Sequence, residues 1–445
     1  MRRIAHLLAP LRSREFTLIW LGQSISQIGN EASSIALVWL LVGLTGSSLV
    51  LGAVLSVSYF PTLLLLLFGG AIADRYSGRL VALVCDGLRT LVAAAFAALV
   101  ILGSISLPEV FAFSAIYGLV SAFFNPALGA LYPALTTPER YDAATSLRQM
   151  TTQVATLAGP ALAGYLIARW NVGAALAFDA ASFAISFLAL LLARQRRDAT
   201  ATAEPASQAA APDAPSAEAA PQVKRASRWG EMFAGLRFLR GEPSVFILIL
   251  IFSLTNGLND VVAVLTPRLA RITLHLPATQ FGLFSSAMGA GALLGALVVG
   301  LFSARLRRRA QVICGALFVF GVAIVAMGLA RDALTLDACF AVFGIAFVVP
   351  EVIFGALLQR LIPAETRGRV YSLVGLIAMA MNPAGMFLAG ALGDVFGPRE
   401  GLWIGGGAIA ALALVALFIP GVRALNRREG SAVPEASPVL AGGER

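Results

Sequence analysis

Apolar runs about two dozen residues long recur along the chain, each closed by a cluster of charged or turn-forming residues. Twelve such runs are read as helices, over 16–43, 48–73, 80–103, 108–133, 146–168, 173–193, 244–270, 280–302, 309–330, 334–359, 369–393 and 399–420. A helix needs about 20 mostly apolar residues to cross a hydrocarbon layer about 30 Å thick. Helices satisfy their own backbone hydrogen bonds in lipid, and the alternating strands of a membrane barrel are missing from the pattern. The expected fold class is an all-α membrane protein with twelve transmembrane helices.

One stretch breaks the rhythm. Residues 198–222, "DATATAEPASQAAAPDAPSAEAAPQ", hold too little apolar surface to fold and read as a flexible linker. It separates six spans from six. The organisation predicted is a cytoplasmic N-terminal segment (1–15), a six-helix bundle (16–193), a largely disordered cytoplasmic linker (194–243), a second six-helix bundle (244–420) and a cytoplasmic tail (421–445).

Composition agrees with burial in lipid: 58% of residues are hydrophobic and 13% are charged, roughly half the charged fraction of a soluble protein. The net charge of +9 would suggest nucleic acid in a soluble chain, but here it marks loops on the cytoplasmic side. With both termini placed inside, 27 of the 33 basic residues fall on the cytoplasmic face, and only Arg169, Arg268, Arg271, Arg331 and Arg399 fall outside. A multi-pass membrane protein follows, with both termini on the cytoplasmic side and no nucleic-acid partner.

Catalytic chemistry has little to stand on. Cys85, Cys314 and Cys339 lie far apart in apolar segments, and both histidines, His6 and His275, sit outside the spans. They make no metal set. The single lysine, Lys224, lies in the linker before an arginine, so no phosphate-cradling loop with Lys-Ser or Lys-Thr exists to hydrolyse ATP. Nothing calls for a cofactor, and an enzyme is not expected.

The two halves echo each other at an offset of roughly 225 residues. "NPALGALYPALTTPERYDAATSLRQ" begins near Pro126 and "VPEVIFGALLQRLIPAETRGRVYSLVG" near Pro350, while Asn30 in span one answers Asn256 in span seven. A further stretch, "GGAIADRYSGRL" at 69–80, ends an oily run on charges of both signs. With these residues the chain resembles major facilitator superfamily transporters over nearly its whole length. Gly70, Asp74, Arg75, Gly78 and Arg79 match that family's Gly-x-x-x-Asp-Arg motif between spans two and three, with one extra residue. "FTLIWLGQSISQIGNEASSIALVWLL" and the "NPALGALYPAL" region are similar to the branch of siderophore exporters and macrolide-efflux proteins. The resemblance implies two pseudo-symmetric six-helix bundles and efflux by alternating access.

The arginines of the 69–80 stretch read as orientation markers. Asp74 is different, because a carboxylate at the C-terminal end of its own helix is opposed by that helix's dipole. The resemblance implies a cytoplasmic latch for it. "GPALAG" in span five (Gly159, Pro160, Gly164) resembles the family's antiporter motif, with Ala155 and Ala163 in place of two of its glycines. An ordinary kinked packing interface fits the same residues. The basic residue that many family antiporters carry in span four is missing here.

Polar residues inside spans are costly and usually face a cavity or a partner. Span one carries Trp20, Gln23, Gln27, Asn30, Glu31 and Ser34 at helical spacing, span four Tyr117, Ser121 and Asn125, span seven Ser253, Asn256 and Asp260, and span ten Phe343, Phe347, Glu351 and Phe354. Trp20, Gln23, Gln27, Asn30, Tyr117, Asn125, Asn256 and Phe347 are the candidate lining of a substrate cavity, and helix–helix hydrogen bonding is the alternative. Glu31, near the middle of span one, is the first candidate for carrying a coupling proton, against a permanent ion pair; Asp260 and Glu351 follow. Asp86 and Arg89 stand one turn apart and are expected to pair, while Asp179, toward the outer end of span six, is expected to reach water. The function expected is proton-coupled export of an amphipathic small molecule, an antibiotic or a siderophore, by a monomer. A nutrient importer or facilitator is the alternative, and a non-transporting sensor a remote one.

Overall fold

A computed structural model describes residues 8–68, 77–193, 237, 239–302, 309–362, 364–420 and 422. Gly70, Asp74 and Arg75, most of the linker and the tail beyond 422 lie outside the described residues. Those described form twelve long helices: α1 (Arg14–Thr45), α2 (Ser48–Phe68), α3 (Gly78–Ile101), α4 (Leu107–Ala134), α5 (Tyr141–Arg169), α6 (Val172–Leu192), α7 (Pro243–Arg268), α8 (Ala278–Phe302), α9 (Arg309–Leu329), α10 (Ala333–Leu361), α11 (Ala364–Phe396) and α12 (Pro398–Phe418).

Local chemistry sets the ends. Ser77 accepts a hydrogen bond from the Leu80 N–H to start α3, Asn171 from Ala174 to start α6, and Asp332 from Thr335 to start α10. Each satisfies a donor that the first helical turn leaves free. Glycine at positive φ follows α1 and α3 (Gly46, 64°; Gly103, 67°), where a side chain would be strained.

Eleven of the helices are long and apolar enough to cross a membrane. The exception is α5, which carries Asp142, Arg148, Gln149, Thr151, Thr152, Gln153 and Thr156 in its first half. Its length and its place in the bundle, rather than its oiliness, make it a span. Leu91, Leu188, Leu297, Leu301 and Val415 are exposed, on the surface that hydrocarbon covers.

The chain divides into two compact units, residues 1–40 with 57–233, and 41–56 with 234–445. The end of α1 and the start of α2 thus belong to the second unit. In the first unit α3 packs on α6 and α4; in the second α9 packs on α12 and α10. Gly118 of α4 lies against the Ser58 backbone of α2, and Gly344 of α10 against the Met288 backbone of α8. The same helix pairs recur six places on, which is the structural form of the repeat read from the sequence.

Candidate functional site

In the first unit, α1 carries its polar residues into the interior. Gln27 Nε2 donates to Thr152 Oγ1 on α5 at 3.1 Å, and Ser24 Oγ lies 3.2 Å from Thr151 Oγ1. The Tyr117 hydroxyl on α4 donates to Asn30 Oδ1. Gln23 Nε2 reaches Ser186 Oγ on α6 at 2.6 Å and Asp86 Oδ2 on α3 at 3.2 Å. Trp20 packs beside Phe16 and Tyr132, whereas Asn125 is exposed. Of the proposed cavity lining, Gln23, Gln27, Asn30 and Tyr117 therefore make interhelical hydrogen bonds.

Glu31 is half-buried. Among the described residues its carboxyl group has no ion-pair partner, so the permanent pair allowed by the sequence is not found there. Beside it, Gly159 of α5 brings the two backbones together: a Cβ there would lie 3.0 Å from the Ile28 carbonyl and 3.3 Å from the Ala32 nitrogen. Gly159, Pro160 and Gly164 are all buried. The Gly-Pro segment thus serves as a close-packing seam between α5 and α1, next to the first candidate acid.

Asp86 and Arg89 pair as expected, Oδ1 to Nη1 at 3.9 Å. Asp179 departs from expectation. Its place near the outer end of its span predicts contact with water, but both Asp86 and Asp179 are 0% exposed. The cause is packing by α1, whose Gly29 lets the backbone come so close that a Cβ would sit 2.9 Å from Asp179 Oδ1.

Of the motif between spans two and three, Gly78 and Arg79 are described. Arg79 donates from Nε and Nη2 to the Leu190 carbonyl (3.1 and 2.8 Å) and from Nη2 to the Leu191 carbonyl (3.2 Å). A guanidinium on the free carbonyls of a helix C-terminus is favoured by both hydrogen bonding and the dipole. Arg79 therefore clamps the start of α3 to the end of α6. Arg79→Ala is expected to lower the thermal unfolding midpoint of the purified protein, since such a cap contributes about 1 kcal/mol. An unchanged midpoint would reduce Arg79 to an orientation marker.

In the second unit, Ser253, Asn256 and Asp260 follow one face of α7. Asn256 Nδ2 donates back to the Phe252 carbonyl (3.2 Å), and Asp260 is buried with Oδ2 unpartnered. Gly385 of α11 leaves room for that carboxyl group. Aromatic rings pair between helices of the same unit: Phe252 stacks on Phe354 at 4.5 Å, and Phe320 on Phe343 at 4.7 Å with Phe347 at 5.9 Å. Glu351 is exposed.

Also in the second unit, Asp394, near the end of α11, accepts from the Ser47 hydroxyl (2.5 Å) and from the backbone N–H groups of Ser48 (2.7 Å) and Leu49 (3.3 Å) at the start of α2. Arg268 of α7 closes the group, with Nη1 2.7 Å from Asp394 Oδ1 and 2.8 Å from the Gly393 carbonyl. Sequence reasoning missed this cluster, although a signal was present. Gly390, Asp394, Gly397 and Arg399 nearly repeat the spacing of Gly70, Asp74, Gly78 and Arg79. Arg399, at the start of α12, donates to the Gly328 carbonyl at the end of α9 (3.2 Å), as Arg79 does for α3 and α6.

The sequence profile of the Major Facilitator Superfamily matches residues 19–385 and, overlapping them, 263–441. The chain belongs to this superfamily. It is 24% identical over 422 residues to macrolide efflux protein A of Streptococcus pyogenes, covering 93% of this chain and 97% of that one. It is 28% identical over 411 residues to the enterobactin exporter EntS of Citrobacter koseri, covering 90% of this chain and 87% of that one. A solved structure of a bacterial homologue of the iron transporter ferroportin, in an inward-facing state, superposes with a TM-score of 0.68 at 19% identity, over 94% of this chain and 99% of that one. This is a multi-pass membrane transporter of a small molecule, not an enzyme, with the all-α fold of its superfamily.

Proposed function

We propose that the chain is a proton-coupled exporter of amphipathic small molecules of the antibiotic or siderophore kind. It works as a monomer in a bacterial plasma membrane, with both termini in the cytoplasm. The six-helix halves, 16–193 and 244–420, act as the alternating bodies. The observation that carries this reading is Glu31: an acid set among apolar spans with no cation paired to it among the described residues. Such a group is costly unless it exchanges a proton. Asp260, buried on α7 of the second half, is the next candidate, and the exposed Glu351 is the weakest of the three. Relatives named as exporters of chemically unrelated cargo, a macrolide and enterobactin, support the direction and leave the cargo broad.

The test is susceptibility profiling of a deletion strain and an overexpressing strain against macrolides, cationic dyes and catecholate siderophore precursors. Export predicts opposite shifts in tolerance for at least one of these classes, and a protonophore removes them. Overexpression that instead increases accumulation of the same compounds identifies an importer.

A further inference from the structure

Asp179 of α6 is 0% exposed, and its Oδ2 has no hydrogen-bond partner. Oδ1 lies 3.4 Å from the Ser182 hydroxyl, but that hydroxyl also donates to the Asp179 backbone carbonyl, at 2.7 Å. The cover over this carboxyl group is α1. A Cβ at Gly29 would run into the Ser182 hydroxyl and lie 2.9 Å from Asp179 Oδ1. Two turns earlier, a Cβ at Gly22 would lie 2.7 Å from the Ala189 Cβ and 3.2 Å from the Ser186 Cα. The two glycines let the α1 backbone lie directly on α6, over the acid.

The charged neighbours leave Asp179 uncompensated. Arg89 faces it from α3 but is held by Asp86, Nη1 to Oδ1 at 3.9 Å. Asp86 has further donors in Ser186 (2.5 Å) and Gln23 (3.2 Å), so that pair is neutral and closed by itself. Tyr117 faces Asp179 from α4, and the Ser33 hydroxyl from α1. Glu31 of α1 lies against Gly159 of α5 instead. The only titratable residues in the outer half of α5 are Tyr165 and Arg169, both exposed. An ionised carboxylate without a partner in an apolar interior is so costly that it takes up a proton instead.

We propose that Asp179 is a proton-binding site of the first unit, closed by α1 and opened when α1 moves off α6. The unpartnered Oδ2 is where the proton sits, and the covering backbone decides when it can leave. The site rests on the proton-coupled reading for the use made of its proton, and it can be tested without any cargo.

Infrared difference spectra of the full-length protein in lipid vesicles, titrated from acid to alkaline pH, read protonated buried carboxyl groups directly. The wild type is expected to show a carboxylic carbonyl band that disappears as pH rises, that Asp179→Asn loses and that Glu31→Gln keeps. Ser182→Ala is expected to shift the same band to higher frequency, because the carbonyl oxygen sheds its contact with that hydroxyl, and it identifies the band if Asp179→Asn does not fold. In deuterated buffer the band is expected to exchange about tenfold faster in Gly29→Ala, whose added methyl group pushes α1 away from α6. A band that Asp179→Asn and Ser182→Ala leave unaltered, or that Glu31→Gln removes, overturns the site. Unchanged exchange in Gly29→Ala overturns α1 as its cover. Failure of the export reading looks different: vesicles that drive no cargo under a pH gradient while the Asp179-dependent band remains.

Discussion

Glu31→Gln is expected to abolish gradient-driven efflux while the protein still reaches the membrane. Glutamine keeps the size and hydrogen-bonding capacity of the side chain, so the close seam with Gly159 is undisturbed. It cannot exchange a proton. For a carrier moving one proton per cargo molecule, each pH unit across the membrane supports about a tenfold cargo ratio, because one unit corresponds to about 1.36 kcal/mol. In vesicles containing the purified variant that ratio is expected to fall to about one. Exchange of labelled for unlabelled cargo, which needs no gradient, is expected to continue, and this separates lost coupling from a lost fold. A variant that still concentrates cargo against its gradient removes Glu31 from the coupling role.

The fold was legible because lipid imposes one demand on every segment. Each span must be a helix of about 20 residues with an apolar surface, and that demand is written locally. Residues 141–169 show where the rule thins, since a helix sheltered by neighbours can carry Thr151 and Thr152 against the polar face of α1. The polar stripe on α1 was legible for the same reason, as period and polarity together marked a face that avoids lipid. The partner of each stripe residue was not. Asp179 looked wetted because its position along the span was readable, whereas the backbone approach that Gly29 permits was not. Asp394 was overlooked because three of its four partners are the backbone N–H groups of Ser48 and Leu49 and the hydroxyl of Ser47, around the start of α2. Such partners leave no mark of their own; only the repeat of Gly390, Asp394, Gly397 and Arg399 could have shown it.

Asp394→Asn is expected to loosen the start of α2 from the end of α11. The carboxylate sits at the C-terminal end of its own helix, where the dipole opposes it. Four donors offset that cost: the Ser47 hydroxyl, the Ser48 and Leu49 amides and the Arg268 guanidinium. The arrangement is an anion at a helix N-terminus, favoured by free N–H groups and by the dipole of α2. Hydrogen bonds to a charged group are each worth about 1.5–3 kcal/mol, and asparagine keeps weaker versions of some of them. A net loss of about 1.4 kcal/mol shifts any equilibrium between states with and without this contact tenfold toward the latter. Ser56 lies further along the same seam, its hydroxyl donating to the Pro383 carbonyl at 2.8 Å. With the three free cysteines replaced, Ser56→Cys is expected to react about tenfold faster with a membrane-impermeant maleimide when Asp394→Asn is also present. Arg268→Gln removes one of the four donors and is expected to have a smaller effect. Should Arg268→Gln prove the larger of the two, the ion pair rather than the helix cap holds the seam; should Asp394→Asn leave the labelling rate unchanged, the cluster is only a surface contact.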